Sequence, residues 1–259
     1  MDLGIAGRTA IVCASSKGLG RGCAEALAAE GARVVINGRD AARLETVAEE
    51  IRRATGAEII AVVGDVATRE GQDALIAAAP SPDILVNNNA GPPRKDFREL
   101  DRDAMLKGVV ANMVTPIELI QRVVDGMAER GFGRIVNITS ASVKAPIVGL
   151  DLSSGARAGL TAFLAGVART VADRNVTVNN ILPGMFDTDR LRGGFPAEAK
   201  LKGVTPEEVA QARMSGVPAK RFGTPEEFGQ LCAFLCSAQA GYLTGQNFLI
   251  DGGNFPGAF

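Results

Sequence analysis

The chain alternates short apolar runs, rich in β-branched residues, with longer segments in which apolar positions recur at helical spacing. The runs are RTAIVCA, ARVVING, EIIAVVGD, DILVNNN, GRIVNITS, NVTVNNILPG and GQNFLIDGG. Continuous apolar strands that alternate with amphipathic helices are typical of a parallel sheet covered by helices on both faces. The pattern therefore predicts an α/β fold with a doubly wound parallel sheet of about seven strands, formed by residues 1–259 as one domain.

One long segment, from about residue 187 to residue 223, interrupts this alternation and is rich in Gly, Pro and charged residues. An irregular segment of this length inside a compact domain is usually a lid or a binding element, so we predict a substrate lid here. Its cations are Arg190, Arg192, Lys200, Lys202, Arg213 and Lys220. Because Glu198, Glu207 and Glu208 accompany them, much of this charge forms a solvated helical face; the alternative is that a lid arginine holds an anionic substrate together with Arg157.

Composition narrows the class of protein. Hydrophobic residues make up 46% of the chain, charged residues 22%, and the net charge is −1. This balance indicates an ordinary globular protein and gives no electrostatic reason to expect nucleic acid or a membrane as partner. The N-terminus lacks the pattern of a signal peptide, so we expect a cytoplasmic location. There is no histidine, the four cysteines have no zinc-site spacing, and we predict no metal site and a buried packing role for Cys232 and Cys236.

A glycine pair follows the first strand, in AIVCASSKGLGRGCAEAL. Gly18 and Gly20 stand where the strand gives way to a helix. Glycine lets the backbone approach a ligand closely, and a helix N-terminus favours negative charge, so this turn suits a phosphate group. The strand before it and the helix and second strand after it provide the context that the motif requires.

With these features the chain resembles the short-chain dehydrogenase/reductase family, and most of all its 3-oxoacyl-(acyl-carrier-protein) reductase-like branch. The family's Thr-Gly-x-x-x-Gly-x-Gly reads here Cys13-Ala14-Ser15-Ser16-Lys17-Gly18-Leu19-Gly20, with Ala14 in place of the first glycine. The likeness covers nearly the whole chain, including RFGTPEEFGQLCAFLCSAQAGYLTGQNFLIDGG. It implies a single-domain Rossmann-type fold, a homo-oligomer (tetramer or dimer) packed through two long helices, and cofactor contacts from Ser15, Ser16, Lys17, Gly18, Leu19 and Gly20.

The end of the second strand, VVINGRD, bears on which cofactor is bound. Enzymes that use NAD place an acidic residue here to hold the ribose hydroxyls, and Gly38 occupies that place in this chain. Arg39 lies beside it and Lys17 in the glycine loop. Two cations without a carboxylate between them suit a 2′-phosphate, so we predict NADP(H) in preference to NAD(H).

Later strand ends supply further cofactor positions by resemblance. GDVA places Asp65 and Val66 at the adenine side, and Pro183, Gly184 and Thr188 match the loop beside the nicotinamide. DILVNNNAGPP resembles the family's Asn-Asn-Ala-Gly strand end in two registers. Without a gap Asn87 and Asn88 match, and Asn89 and Ala90 depart from the pattern; with one inserted residue Asn88-Asn89-Ala90-Gly91 matches. Asn88 and Ala90 are the predicted contacts.

The resemblance also marks four catalytic positions, which the family fills with asparagine, serine, tyrosine and lysine. They correspond here to Asn112, Ser140, Ser153 and Arg157, so tyrosine and lysine are replaced by serine and arginine. An aliphatic hydroxyl has a pKa far above that of a phenol, and arginine keeps its proton. Arg157 remains able to hold the nicotinamide ribose, a carboxylate, a phosphate or a polarised oxygen.

The proton donor is therefore an open question. Water held by Ser140 and Ser153 is the preferred source. Asp151 is the nearest candidate carboxyl, with a helix cap as its alternative role, and Lys144 is more simply a solvated loop residue. Tyr242 is excluded because the family has a structural aromatic residue at its place.

Three functions remain compatible with the sequence. The first is an atypical NADP(H)-dependent oxidoreductase acting on a small carbonyl, alcohol or 3-oxoacyl-like substrate. The second is an NADP(H)-binding protein with little or no catalysis, a sensor or assembly partner. The third is non-redox lyase chemistry on the same fold, with Arg157 stabilising an enolate.

Overall fold

The computed structural model describes residues 1–258, and its centre is one seven-stranded sheet in which every pairing is parallel. The strands are β1 Thr9–Val12, β2 Arg33–Gly38, β3 Ile59–Val63, β4 Ile84–Asn87, β5 Gly133–Ile138, β6 Val176–Pro183 and β7 Asn247–Ile250. Their order across the sheet is β3-β2-β1-β4-β5-β6-β7. The predicted doubly wound α/β sheet is confirmed.

Helices cover both faces of the sheet. They are α1 Gly18–Ala29, α2 Ala41–Thr55, α3 Arg69–Ala78, α4 Arg102–Val109, α5 Thr115–Glu129, α6 Asp151–Val171, α7 Asp189–Arg192, α8 Phe195–Lys202, α9 Pro206–Gly216 and α10 Pro225–Leu235. Short 3₁₀ turns occur at Phe97–Glu99, Ala141–Val143 and Ala172–Arg174, and a π-helical segment, Val110–Val114, joins α4 to α5.

Two apolar layers sandwich the sheet. Helices α1, α2 and α10 pack on one face, and α3, α5 and α6 pack on the other. Strand residues alternate between the layers: Ala10 and Val12 enter the first, whereas Ile11 and Cys13 enter the second. Because the inner strands β1, β2, β4, β5 and β6 are buried on both faces, their sequences are mostly apolar, which is why the pattern of the sequence predicted the sheet; the edge strands β3 and β7 are more exposed.

Helices α1 and α10 touch backbone to backbone through a pair of glycines. A Cβ on Gly22 would lie 2.1 Å from the carbonyl oxygen of Pro225, and a Cβ on Gly229 would lie 2.1 Å from the carbonyl oxygen of Gly22. No side chain fits at either position. This close crossing fixes the place of α1, whose N-terminus forms the glycine turn.

The segment 187–223, expected to be irregular, contains the three short helices α7, α8 and α9. Their few apolar residues form a small cluster of their own, Phe195, Ala199, Val209 and Phe222. Thr205 begins α9 with a capping box closed by Glu208. The apolar positions are too sparse to show a helical period, so sequence patterning did not predict these helices. The role of the segment as a substrate lid stays a prediction.

The cysteines are buried and free. Cys232 and Cys236 lie in the first apolar layer, as predicted, and Cys23 joins them there. Burial raises the pKa of Cys13 to about 12, so this thiol is unreactive at neutral pH. In residues 1–258 no helix combines the length and the apolar character needed to cross a membrane.

Candidate active site

Most predicted site residues follow the carboxyl ends of the parallel strands, whereas Asn112, Ser153 and Arg157 lie on helical segments. The strand order reverses between β1 and β4, since the chain moves outward to β3 and then returns past β1. In open α/β sheets ligands bind in the crevice at such a switch point. The loops after β1 and β4 therefore define the centre of the candidate site.

The glycine loop is held tightly by its neighbours. Gly18 has φ +58°, a left-handed conformation that favours glycine. A Cβ on Gly20 would lie 2.5 Å from the carbonyl oxygen of Ala14 and 2.8 Å from Nδ2 of Asn88. Helix α1 begins at Gly18 without a side-chain cap, so its first amide groups have no partner within the helix.

Ala14 has φ +45°, which is also in the left-handed region. An alanine in that region costs roughly 1–2 kcal/mol relative to glycine. The structure thus explains why the family's motif has glycine here. In this chain Asn37 Oδ1 accepts from the Ala14 amide and Asn88 Nδ2 donates to the Ala14 carbonyl, and these bonds hold the strained turn.

A cleft of about 580 Å³ opens beside this loop. Its walls come from the glycine loop, from α2, from the start of the predicted lid and from Pro225. Of the predicted cofactor residues, Ser16, Lys17, Gly18 and Thr188 line it. Cationic residues on its walls are Lys17, Arg21, Arg43 and Arg192, and acidic residues are Glu50, Asp187 and Asp189.

Other predicted cofactor residues have different positions. Ser15 is buried, with its hydroxyl donating to Val12 O and accepting from the amide of Asn37, so it shapes the loop from inside. Leu19 packs against the first apolar layer. Arg39 is exposed, and its Nη1 lies 3.7 Å from Oδ2 of Asp65.

Asp189 and Arg43 are site residues that the sequence reasoning missed. Asp189, the first residue of α7, has Oδ2 3.7 Å from Nζ of Lys17 and 3.8 Å from Nη1 of Arg43. The start of the predicted lid is thereby tied to the glycine loop and to α2. Arg43 stands three residues after the N-cap Asp40, on the turn of α2 that faces the cleft.

The three asparagines after β4 have separate partners. Asn87 is the last paired residue of the strand, opposite Asn137, and its Nδ2 donates to Oδ1 of Asn137. Asn88 reaches the glycine loop, and Asn89 Nδ2 donates to Ala111 O. The pairing of β4 runs without interruption from Ile84 to Asn87, so any extra residue relative to the family pattern lies beyond Asn87.

Asn112 lies in the π-helical segment between α4 and α5. Its Nδ2 donates to Gly108 O at 3.2 Å, whereas its Oδ1 is buried without a hydrogen-bond partner. Thr115 Oγ1 and Asn87 Oδ1 are also buried without a hydrogen-bond partner. All three residues line a cavity of about 20 Å³ together with Val66. That volume and these polar atoms suit one bound water molecule. π-Helical turns are frequent at functional sites.

Ser153 and Arg157 lie one turn apart on α6 and are buried. Arg157 Nε donates to Oγ of Ser153 at 3.4 Å, and Nη1 donates to Ile138 O at 2.6 Å. Arg157 therefore ties α6 to the end of β5. Ser140, two residues beyond Ile138, is half-buried, and its Oγ accepts from the amide of Ser142 at 3.1 Å.

Arg157 has an unusual electrostatic environment. Burial, and in second place the charge of Arg190, lower the pKa of Arg157 to about 10. The group is still protonated at neutral pH, because that value lies about three pH units above 7. Arg157 is thus a fixed cation and neither a proton donor nor a base.

The other candidate proton donors are placed as follows. Asp151 is the first residue of α6 and is exposed; its Oδ2 accepts from the Gly149 amide, and the helix has no side-chain cap. Lys144 is exposed, with Nζ 5.6 Å from the centre of the Phe255 ring. Tyr242 is fully exposed. Within residues 1–258 none of these three side chains forms a hydrogen bond with Ser140 or Ser153, whereas Arg157 donates to Ser153.

The loop after β6 also contributes. Pro183 ends the strand, and a Cβ on Gly184 would lie 2.6 Å from Cβ of Asp251, so this turn needs glycine. Thr188 caps α7, with Oγ1 accepting from the amide of Leu191, and its Cγ2 faces Gly18 across the cleft. Ala90 is exposed on the neighbouring loop.

Known protein sequences identify the family to which the chain belongs. The sequence model of a family described as enoyl-(acyl carrier protein) reductase matches residues 13–254. The chain belongs to the short-chain dehydrogenase/reductase family. Acetoacetyl-CoA reductase of Cupriavidus necator is 33% identical over 251 residues, which cover 95% of this chain and 97% of that protein. The NADPH-dependent reductase BacG of Bacillus subtilis is 31% identical, with 95% and 97% coverage.

A solved structure agrees with these relatives. L-sorbose reductase of Gluconobacter frateurii, complexed with NADPH and L-sorbose, superimposes with a TM-score of 0.94 at 30% identity, covering 99% of this chain and all of that chain. As a short-chain dehydrogenase/reductase, the protein is homologous to oxidoreductases that act on carbonyl and alcohol groups.

Proposed function

We propose that the protein is an NADP(H)-dependent oxidoreductase that interconverts a small carbonyl compound, or a 3-oxoacyl-like substrate, and its alcohol without a tyrosine proton donor. The observation that carries the proposal is the cleft beside the glycine loop, whose walls hold four cations among three acidic residues, together with the β2 end, where Gly38 stands in place of a carboxylate and Arg39 follows it. Relatives described as NADPH-dependent or complexed with NADPH support the choice of cofactor.

The residues present fit such a cofactor. Gly20 leaves no room for a Cβ, the amides at the start of α1 are uncapped, and Lys17 and Thr188 line the same cleft. A diphosphate suits the uncapped helix start, and a 2′-phosphate suits Arg39 with Lys17 or Arg43. When bound, the nicotinamide would transfer the hydride.

The chain's own residues supply the remaining chemistry. The Ser140 hydroxyl accepts from the Ser142 amide, which leaves its hydrogen free to donate to a carbonyl oxygen. Ser153 Oγ receives a donor from the cationic Arg157, and this makes the Ser153 hydroxyl a better donor in turn. Water between the two serines then gives a proton to the carbonyl oxygen as the hydride adds to carbon, and the hydroxide left behind is protonated by bulk water. Arg157 holds the arrangement by its bond to Ile138 O.

Replacing Arg39 with Asp tests the cofactor assignment. We expect Arg39→Asp to weaken NADPH binding about 10- to 100-fold, because a charge-assisted bond to the 2′-phosphate is replaced by repulsion, and to shift preference toward NADH. Fluorescence titration with both cofactors measures this. Arg53→Asp makes the same charge change at the far, exposed end of α2 and is expected to leave both affinities as they are. Unchanged NADPH affinity in Arg39→Asp would refute the assignment.

The proposed homo-oligomer is supported by exposed apolar residues on or beside the helices through which it is predicted to pack. Leu106 on α4, Val110 in the π-helical segment and Phe163 on α6 are 52%, 40% and 47% exposed. Apolar surface shared by neighbouring elements needs cover. We expect sedimentation velocity to show a dimer or tetramer, and Leu106→Glu with Phe163→Glu to shift it toward the monomer. Exposed Leu201, on α8, gives the control Leu201→Glu, which is expected to keep the assembly. A wild-type monomer at micromolar concentration would contradict the proposal.

A further inference from the structure

Two arginines from distant parts of the chain converge on the loop after β4. Arg190, on α7, donates from Nη1 to Gly91 O at 3.1 Å and from Nη2 to Pro92 O at 3.3 Å. Arg157, on α6, has Nη2 3.5 Å from Asn89 O. A Cβ on Gly91 would lie 2.9 Å from Nη2 of Arg190 and 3.5 Å from Nη2 of Arg157, so Gly91 separates two neighbouring guanidinium groups.

The carboxylates nearest Arg190 in sequence are engaged elsewhere. Asp187 pairs with Arg192, and Asp189 pairs with Lys17 and Arg43. Within residues 1–258 neither Arg157 nor Arg190 forms a salt bridge; their partners are backbone carbonyls and the Ser153 hydroxyl. Arg157 is only 8% exposed.

Arg157 is costly to bury without an anion, whereas Arg190 is exposed to solvent. Burying a cation that has no counter-charge loses solvation that neutral carbonyls only partly replace, and a second cation nearby adds repulsion. The lowered pKa of Arg157, to which Arg190 contributes, reflects both effects. A guanidinium has five N–H donors; Arg157 uses three of its own and Arg190 uses two, so each keeps donors for a ligand.

We propose that Arg157 and Arg190 together bind a carboxylate of the substrate, so that the protein acts on small oxo acids and hydroxy acids. The site would bring the acid's carbonyl toward Ser140 and Ser153, because Arg157 contacts Ser153 directly. The choice of oxo acid rests on the proposed function; the binding of a carboxylate does not.

The cofactor's diphosphate is the other possible source of the anion. The diphosphate would bind in the cleft beside the glycine loop, which is lined by Asp187, Thr188, Asp189 and Arg192. Arg190 does not line this cleft; its guanidinium donates to Gly91 O and Pro92 O instead. The carboxylate assignment is therefore favoured, and the two sources give different results in the experiment below.

The experiment compares acetoacetate and 2-oxobutyrate with their methyl esters, titrated into the NADPH-bound protein and followed by NADPH fluorescence. We expect the acids to bind at least 10-fold more tightly than the esters, since only the acids offer a bidentate partner. Arg190→Gln is expected to weaken acid binding about 10- to 100-fold and to leave ester binding and NADPH affinity unchanged. Arg190→Lys should recover part of the loss, because it restores charge without the planar fork.

Lys200→Gln is the matched control, since it removes one positive charge from an exposed position of the same segment. It is expected to leave all affinities unchanged. The proposal would be overturned if Arg190→Gln weakened the binding of acids and esters equally. It would also be overturned if the variant lost NADPH affinity but still preferred acids to esters, and this result would favour the diphosphate as the anion. If the wild-type protein binds no NADPH, the proposed function is refuted, but the carboxylate site is not. Calorimetry with the two acids and the cofactor-free protein then tests the carboxylate site. The site is rejected if the acids do not bind, or if they bind equally well to Arg190→Gln.

Discussion

The double variant Ser153→Tyr, Arg157→Lys is expected to reduce neutral ketones about 10²- to 10⁴-fold faster than the parent protein, the usual contribution of a positioned acid. A phenol has a pKa near 10, and a neighbouring ammonium lowers it toward working pH. Serine cannot reach this range, and Arg157 stays protonated even with its pKa lowered to about 10. The rate is measured as loss of NADPH absorbance at saturating cofactor with cyclohexanone.

The two single variants are the controls. Each is expected to give a much smaller gain than the pair, because tyrosine without the ammonium keeps a high pKa and lysine without the phenol has no donor to assist. NADPH affinity, measured in parallel, must be retained for the comparison to hold. A double variant that binds NADPH and shows no gain would mean that the pocket is built for other chemistry, such as non-redox cleavage.

The same variant separates neutral from acidic substrates. Arg157→Lys keeps a charge but loses the fork that contacts Ser153, Ile138 O and Asn89 O. If Arg157 and Arg190 bind a carboxylate, the gain on acetoacetate will therefore be smaller than the gain on cyclohexanone. The ratio of the rate gain on acetoacetate to the rate gain on cyclohexanone therefore tests the proton donor and the substrate class with one protein preparation.

Sequence patterning predicted the sheet, which the structure confirms, and it placed the candidate site at the strand ends; both inferences depend on local signals. Strands buried on both faces are mostly apolar, and the turn after β1 needs glycine at Gly18 for its φ and at Gly20 for close backbone contact. The sequence shows that Ala14 replaces the family's glycine, but only the structure shows that its backbone has a positive φ and is therefore strained.

Tertiary charge pairing could not be predicted in this way. Arg190 and Arg192 are the same residue type two positions apart, and both stood among the cations of the predicted lid. Only the fold shows that Asp187 neutralises Arg192 and that Arg190 reaches Gly91. The unpaired Oδ1 of Asn112 likewise depends on a π-helical turn for which the sequence carries no known signal.

Gly229→Ala is expected to lower the free energy of unfolding by about 3 kcal/mol or more, which is at the upper end for overpacking. Its Cβ would lie 2.1 Å from the Gly22 carbonyl oxygen and 2.6 Å from the carbonyl carbon. These are backbone atoms, so no rotamer change relieves the clash and α10 must move away from α1. Urea denaturation measures the loss. Gly216→Ala, at an exposed helical glycine with nothing within 4 Å of the added Cβ, is expected to be neutral or slightly stabilising.

The same substitution should also reach the cofactor cleft. Pro225 begins α10 and lines the cleft, while α1 begins with Gly18 in the glycine loop, so separating the helices displaces two walls of one site. Gly229→Ala is therefore expected to weaken NADPH binding at temperatures where the variant is still folded, and Gly216→Ala is not. A variant destabilised by several kcal/mol with unchanged NADPH affinity would show that the glycine loop keeps its shape without the α1–α10 contact, and that β1, Asn37 and Asn88 suffice to hold it.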